Sequence, residues 1–170
     1  MNLYGFADGD AVNFSDPMGL NPVPLLAGAA VFVAYNWRVI AAAGSIGIRG
    51  GRIMNEARKI LSSPQMETLR QASVSGEEAV VQIGSRSLSY VPSLPGSAMT
   101  SAGRGFHLGP QAFSSQSELS KTVLHELHRL GNSASVGSGA SSSAAAAETQ
   151  AAAAFADKAH ALGKVLRFWK

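Results

Sequence analysis

The sequence contains no cysteine and only a small share of charged residues. Without cysteine, the chain of 170 residues forms no disulfide framework, no cysteine-ligated zinc site and no thiol nucleophile. Charged residues make up only 15% of the chain and hydrophobic residues 46%, so the chain as a whole is not intrinsically disordered. A chain of this length forms one domain, or one domain with an additional fragment, and it can bury a sizeable core.

The sequence also has no uninterrupted apolar run of the roughly 20 residues that a membrane-spanning helix needs. Residues 23–35 form an apolar run of 13, and a second run at 39–48 follows after Asn36 and Arg38. We therefore expect a buried or packing helix here, with membrane contact through residues 23–48 as the less favoured alternative. The N-terminus lacks the basic and apolar regions of a secretory signal.

Basic residues are distributed unevenly along the chain. The acids Asp8, Asp10 and Asp16 precede every Lys and Arg, and residues 21–170 hold 14 basic residues against 8 acidic ones, a net charge of +6. This balance suits a nucleic acid or another anionic partner without requiring one.

The periodicity of apolar residues predicts a mainly helical α+β domain with a small antiparallel hairpin or short sheet in the middle. Region 21–75 is expected to be helical, with helices at about 24–48, 52–62 and 64–72. The pair Gly50-Gly51 is expected to break the first helix from the second, because glycine has a low helix propensity.

Short strands are expected in region 79–109. Apolar and polar residues alternate over 79–91 around Gly84-Ser85, which indicates a hairpin, and residues 105–109 form a third short strand.

Two helices are expected in region 115–170, at 115–131 and at about 144–168, joined by a Ser/Gly-rich loop. The first has the capping-box pattern S-x-x-E at Ser115 and Glu118. Its apolar residues form one stripe: Leu119, Val123, Leu127 and Leu130.

The first 20 residues differ in character from the rest of the chain. They contain Asn2-Leu3-Tyr4, then Asn13-Phe14, then Asp16-Pro17-Met18-Gly19-Leu20. These segments resemble the closing motif of the RHS repeat core, in which N-x-Y-x-Y and an Asn-Pro pair precede D-P-x-G-L. The sequence departs from that motif at Phe6, which replaces the second Tyr, and at Asp10-Ala11, which replaces the Asn-Pro pair.

The resemblance implies that residues 1–20 end an RHS core and that residues 21–170 are a polymorphic toxin domain. RHS proteins are large shells of β-repeats, often delivered by type VI secretion, and their terminal toxin is released by self-cleavage near the motif. Asp16, with Pro17 and Gly19, would belong to that cleavage region, but its partner acid and the shell are not in this sequence, so we expect no self-cleavage. The resemblance further implies a secreted effector that acts in the cytoplasm of target bacteria, with the RHS shell and a cognate immunity protein as partners.

The expected toxin domain has its own concentration of reactive residues on the 115–131 helix. On a helical wheel, His125, Glu126 and Arg129 fall within about a third of the circumference. An acid–base group, a carboxylate and a permanent cation are thereby predicted side by side. His128 is a possible accessory residue of this site. The alternative is an ordinary solvated helix face.

Glu148 is a fourth candidate, because it shares the apolar face of the last helix. A carboxylate there is unfavourable unless it has a partner or faces a cleft, although acids are also favoured in the first helical turn. If the two helices pack through their apolar stripes, Glu148 approaches Glu126 or Arg129. Beside an arginine its pKa stays low, and beside a second glutamate its pKa rises.

No metal site is expected. A zincin helix needs H-E-x-x-H, but the residue at i+4 from His125 is Arg129, and His128 lies at i+3. The set His125, His128 and Glu148 is a weak alternative for zinc.

Other candidates have more ordinary interpretations. Arg86 and Tyr90, on or beside the predicted hairpin and able to face a cleft, are possible accessory residues of the site. His107 on the short strand is another, although a lone histidine there is more often half-buried and satisfied. His160 is expected to be solvated. Basic and aromatic residues end the chain and either bind phosphate or cap the helix: Lys164, Arg167, Phe168, Trp169 and Lys170.

Three functions follow from these residues. The favoured one is a cofactor-free toxin enzyme that cleaves RNA or another nucleic acid, in which His125 and Glu126 are acid and base in either order and Arg129 stabilises the phosphorane. The second is an ADP-ribosyltransferase that uses NAD, with Arg86, a serine and Glu148, or a degenerate zinc metallopeptidase. The third is a membrane-active toxin through residues 23–48.

Overall fold

The computed structural model describes residues 46–101, 105–131 and 143–169. The chain divides into two units, Met1–Arg38 and Val39–Lys170, and every described residue belongs to the second. The predicted boundary after residue 20, the cleavage motif and most of the predicted 24–48 helix therefore lie outside the described residues, as does most of the Ser/Gly-rich loop.

Four helices and a small sheet form the described part of the chain, which confirms the predicted mainly helical α+β class. The helices are α1, described over 46–61, α2 (Pro64–Ser75), α3 (Gln116–Leu130) and α4 (Ser143–Val165). The strands are β1 (Ala79–Ile83), β2 (Arg86–Tyr90), β3 (Ala98–Thr100) and β4 (Gly105–Leu108), and a 3-10 helix follows at Pro110–Phe113.

The sheet has the order β1-β2-β4-β3 and is mixed rather than purely antiparallel. The predicted hairpin is confirmed as β1 and β2, which pair antiparallel around a left-handed Gly84 with φ of 60°. Strand β4 is the predicted third strand, but it pairs parallel with β2, with Leu88 opposite Phe106. Strand β3 was not predicted, because three residues are too few to show alternation; it lies at the edge of the sheet, antiparallel to β4.

The core lies where the helices cover the sheet. The predicted stripe of α3 is buried at Leu119, Val123 and Leu127, and Leu130 packs against the core while partly exposed. Side chains from several elements are fully enclosed with them: Ile60, Met66, Leu69, Leu88, Phe106, Leu108 and Leu124. None of the described helices is long and apolar enough to cross a membrane.

The prediction that Gly50-Gly51 breaks a helix is wrong, since α1 continues through both residues. Gly50 is buried, and a Cβ atom there would lie 2.9 Å from Cε2 of Phe155 on α4. Glycine at this position therefore lets α1 and α4 approach closely, and the propensity penalty is outweighed by packing.

The capping prediction for α3 is confirmed. The Ser115 hydroxyl accepts a hydrogen bond from the backbone N–H of Glu118 at 3.0 Å. This hydrogen bond satisfies one of the free backbone N–H groups of the first turn and marks where α3 begins.

Candidate active site

A polar cleft of about 430 Å³ lies between α3, α4 and the start of β3. His125, Glu126 and Arg129 all line this cleft, so the structure brings these three predicted residues together. We call it the His125 cleft. Its other lining residues come from the same elements: Ser97, Ala98, Glu118, Lys121, Thr122, Thr149, Ala153, Ala156 and Asp157.

Glu126 is the most enclosed charged residue of the cleft. It is only 2% exposed, and its Oε2 accepts a hydrogen bond of 2.5 Å from the Thr100 hydroxyl at the end of β3. Burial raises the pKa of Glu126, while the Thr100 hydrogen bond and the charge of Arg129 oppose that rise. The alternative of a solvated helix face is therefore wrong for Glu126, because β3 covers it.

His125 lies beside this carboxyl group. Its Nε2 is 3.9 Å from Glu126 Oε1, too far for a hydrogen bond, and its side chain is 20% exposed. Burial, helped by the nearby charges of Arg129 and His128, lowers the pKa of His125 to about 4. The imidazole is therefore neutral at neutral pH and has a nitrogen lone pair that can accept a proton.

Arg129 supplies the cation of the cleft. It lies one helical turn after His125, at i+4, and so on the same side of α3. Its Nε is buried and has no hydrogen-bond partner among the described residues. A buried donor in that state is unfavourable by about 1–3 kcal/mol, which a bound anion would relieve.

Glu148 belongs to a neighbouring group rather than to the cleft, although Thr149 beside it does line the cleft. The charge of Glu148 acts on His128, whose pKa is lowered by burial and by Arg49 and raised by Glu148. The charge that acts on Glu126 comes from Arg129 instead. The predicted approach of Glu148 to Glu126 or Arg129 stays a prediction, and the structure shows an electrostatic interaction of Glu148 with His128.

His128 itself packs against an aromatic ring. Its ring centroid is 4.8 Å from that of Phe155. Its Nδ1 and Glu148 Oε2 are both buried without a hydrogen-bond partner in the described part of the chain. Across residues 46–101, 105–131 and 143–169, no group of three or more acidic or histidine residues is arranged to hold a metal ion, so nothing supports the weak zinc set.

Arg86, Tyr90 and His107 do not line the His125 cleft. Arg86 donates from Nε to Glu56 Oε1 on α1 at 2.6 Å. Tyr90 is 2% exposed, with its ring edge-on to a neighbouring phenylalanine. His107 shares a 2.5 Å hydrogen bond with Ser89. Their contacts are those of packing and pairing within the sheet and its surroundings.

The prediction that His160 is solvated is wrong. It is 5% exposed, and its Nδ1 and Nε2 lie 2.8 Å from Ser120 Oγ and 3.0 Å from Ser117 Oγ. Because Ser120 donates to the Ser117 carbonyl, its oxygen accepts from His160 Nδ1–H, and Nε2 accepts from Ser117. Ser117 and Ser120 are three residues apart and so lie on the same side of α3. This spacing is the sequence pattern that indicates a polar contact here.

Two residues with polar contacts at the cleft were not predicted: Thr100, which donates to Glu126 from outside the lining, and Lys121, which lines the cleft. Thr100 lies on the short strand β3, which no periodicity reveals. Lys121 is four residues before His125 on the same side of α3, a spacing that does point to the cleft. Its Nζ pairs with Asp157 on α4 at 2.8 Å, and this contact raises the pKa of Lys121.

No family model matches the chain, and comparisons with curated proteins and with solved structures also found no match.

Proposed function

We propose that the His125 cleft is the active site of a metal-independent ribonuclease. One observation carries the proposal: a neutral imidazole, a carboxyl group of raised pKa and an arginine with an unpartnered Nε line the same cleft. Cleavage of RNA through its own 2′-hydroxyl needs a base, an acid and a cation, and these are those three groups.

The pKa directions support one assignment of roles. Neutral His125 accepts the proton of the 2′-hydroxyl while that oxygen attacks the phosphorus. The Arg129 guanidinium neutralises the charge on the phosphorane oxygens. Glu126, whose pKa burial raises, is the acid that gives a proton to the leaving 5′-oxygen, so the products are a 2′,3′-cyclic phosphate and a 5′-hydroxyl. His125 ends protonated and Glu126 ionised, and water returns the proton for the next turnover.

This activity fits the effector role that the N-terminal resemblance implies. A ribonuclease released into a target bacterium stops growth without needing a cofactor supplied by that cell. The net charge of +6 over residues 21–170 favours association with a polyanion.

The direct test uses the purified full chain on labelled RNA in the presence of a chelator. We expect cleavage by the unchanged chain and a loss of at least about 100-fold in the rate for Glu126→Gln, because the variant cannot donate the proton. Lys158→Gln is the matched control, since Lys158 is exposed on α4 and does not line the cleft.

Two results would contradict the proposal. One is undiminished cleavage by a folded Glu126→Gln chain. The other is consumption of NAD by the unchanged chain while RNA stays intact, which would support the transferase alternative instead.

A further inference from the structure

The last described residues of the chain fold back onto α4. Arg167 adopts a left-handed conformation with φ of 55°, and the Phe168 N–H then donates to the Gly163 carbonyl at 2.8 Å. Trp169 donates from Nε1 to the His160 carbonyl at 2.9 Å. A side chain at Gly163 would collide with the Trp169 indole, so glycine is required for this return.

This return forms a second cleft, of about 320 Å³, against the end of α1 and the start of α3. We call it the C-terminal cleft. Its described lining residues include two arginines and two aromatic rings but no acid: Arg58, Leu61, Ser62, Gln116, Arg167, Phe168 and Trp169. The Arg58 guanidinium lies over the Phe168 ring, 5.2 Å from its centroid.

The donors of the C-terminal cleft are available to a ligand. Among the described residues, no carboxylate pairs with Arg58 or Arg167. Gln116 accepts a 2.7 Å hydrogen bond at Oε1 from Arg70 Nη2, which leaves its amide N–H groups to donate. Two guanidinium groups and an amide donor therefore face one small space beside aromatic surfaces.

The His125 cleft has a different charge. Three acidic side chains line it, those of Glu118, Glu126 and Asp157, and Asp157 already pairs with Lys121. Arg129 is then the one basic side chain of that lining for which no described residue supplies a carboxylate partner within 4.0 Å. A polyanionic strand consequently needs further phosphate contacts elsewhere on the surface.

We propose that the C-terminal cleft is a second binding site for single-stranded RNA. It binds one nucleotide that is not part of the bond being cleaved. This inference rests on the proposed ribonuclease function. Arg58 and Arg167 hold the phosphate, and the base stacks against an aromatic ring of Phe168 or Trp169. The aromatic pair favours a nucleotide over an acidic peptide, because a peptide carboxylate uses the guanidinium groups alone.

The C-terminal cleft lies far from His125, so its role is to bind the strand rather than to react with it. Gln116 and His125 are nine residues apart, which separates them by about 14 Å along the axis and places them on opposite sides of the helix. The C-terminal cleft therefore increases affinity for the strand and takes no part in proton transfer.

The test measures binding separately from cleavage. The probe is a fluorescent single-stranded RNA with 2′-O-methyl groups throughout, which lacks the attacking hydroxyl, and its anisotropy is followed on adding the full chain. The variant Arg58→Gln/Arg167→Gly removes both guanidinium groups, and glycine accepts the left-handed backbone at 167. We expect at least about a tenfold weaker Kd and a salt dependence shallower by about one phosphate contact, because the two arginines hold one phosphate.

The matched control is Lys59→Gln, which removes an exposed charge next to Arg58 on α1 but does not line the cleft. We expect its Kd to stay within about twofold of the unchanged chain. Equal weakening by the control and the double variant, or no weakening by either, would overturn the site. So would an acidic peptide that binds the cleft while the RNA probe does not.

Failure of the function and failure of the site give different results. If the chain binds the probe through both arginines but does not cleave RNA, the ribonuclease proposal fails and the binding site stands. If the chain cleaves RNA and the double variant binds the probe normally, the site fails and the active site stands.

Discussion

The contact between α3 and α4 contains two histidines, the buried His160 and the partly exposed His125, which differ in their hydrogen bonding. Burial lowers the pKa of both His125 and His160. His160 has a hydroxyl group on each ring nitrogen and a tryptophan ring stacked parallel to it at 6.2 Å. His125 has no side-chain hydrogen bond among the described residues and borders a cleft. A histidine with both nitrogens satisfied stabilises the fold, whereas one with an open nitrogen can act on a ligand.

Buried polar atoms without hydrogen bonds also distinguish the surroundings of His125 from those of His160. In the described part of the chain, the buried side-chain atoms without a hydrogen bond are His128 Nδ1, Arg129 Nε and Glu148 Oε2. Two of these lie on α3 within four residues of His125, and Glu148 acts on one of them. Unsatisfied groups are thus concentrated next to the His125 cleft and are absent from the described surroundings of His160.

The largest expected effects come from substitutions that affect one of the two histidines at a time. We expect His125→Ala to lower the rate of RNA cleavage at least about 100-fold, because the base is lost, with little change in the free energy of unfolding. Ser120→Ala should leave the rate unchanged but lower the free energy of unfolding by about 1–3 kcal/mol, because His160 Nδ1–H loses its buried acceptor. Cleavage assays and urea denaturation measure the two quantities.

The opposite pattern would break the comparison. If His125→Ala unfolds the chain, or Ser120→Ala abolishes cleavage at unchanged stability, the roles assigned to the two histidines are exchanged.

An effect of comparable size is expected in the pH dependence of stability. The pKa of His125 is about 4 in the folded chain and about 6.5 when unfolded, so between these values the unfolded chain binds the proton and the folded chain does not. The contribution of neutral His125 to the free energy of unfolding is therefore fully present well above pH 6.5. It decreases as the pH falls towards 4, by up to about 3 kcal/mol. The lowered pKa values of His128 and His160 act in the same direction.

Denaturation of the unchanged chain and of His125→Gln at pH 7, 6, 5 and 4 checks this expectation. Glutamine does not titrate, so the variant should lose less stability than the unchanged chain over this range. Parallel pH profiles for the two chains would show that His125 is not buried as a neutral group.

The sequence was sufficient for features that depend on local patterns. The hairpin at Gly84, the cap at Ser115 and the stripe of α3 follow from turn chemistry, capping and helical period. The same period put His125, Glu126 and Arg129 close together. These features involve residues within a few positions of one another, which is why a single sequence reveals them.

Features that depend on contact with a helix or strand elsewhere in the sequence were not predictable. The burial of Glu126 requires β3, and the burial of His160 requires both α3 and the returning Trp169. Gly50 was read as a helix breaker, because the close approach of Phe155 is not visible in the sequence. Each error concerns a contact between residues distant in the chain, where packing outweighs local propensity.

The most direct test of the account is the chemistry of the cleaved bond. The substrates are deoxyribonucleotide strands that each carry a single ribonucleotide, with each of the four bases in turn, incubated with the full chain and a chelator. The account predicts cleavage only on the 3′ side of a ribonucleotide, with a 2′,3′-cyclic phosphate and a 5′-hydroxyl as products, and none when that residue is 2′-O-methylated. Cleavage at deoxyribonucleotides, products with a 5′-phosphate, or no cleavage of any strand would contradict it.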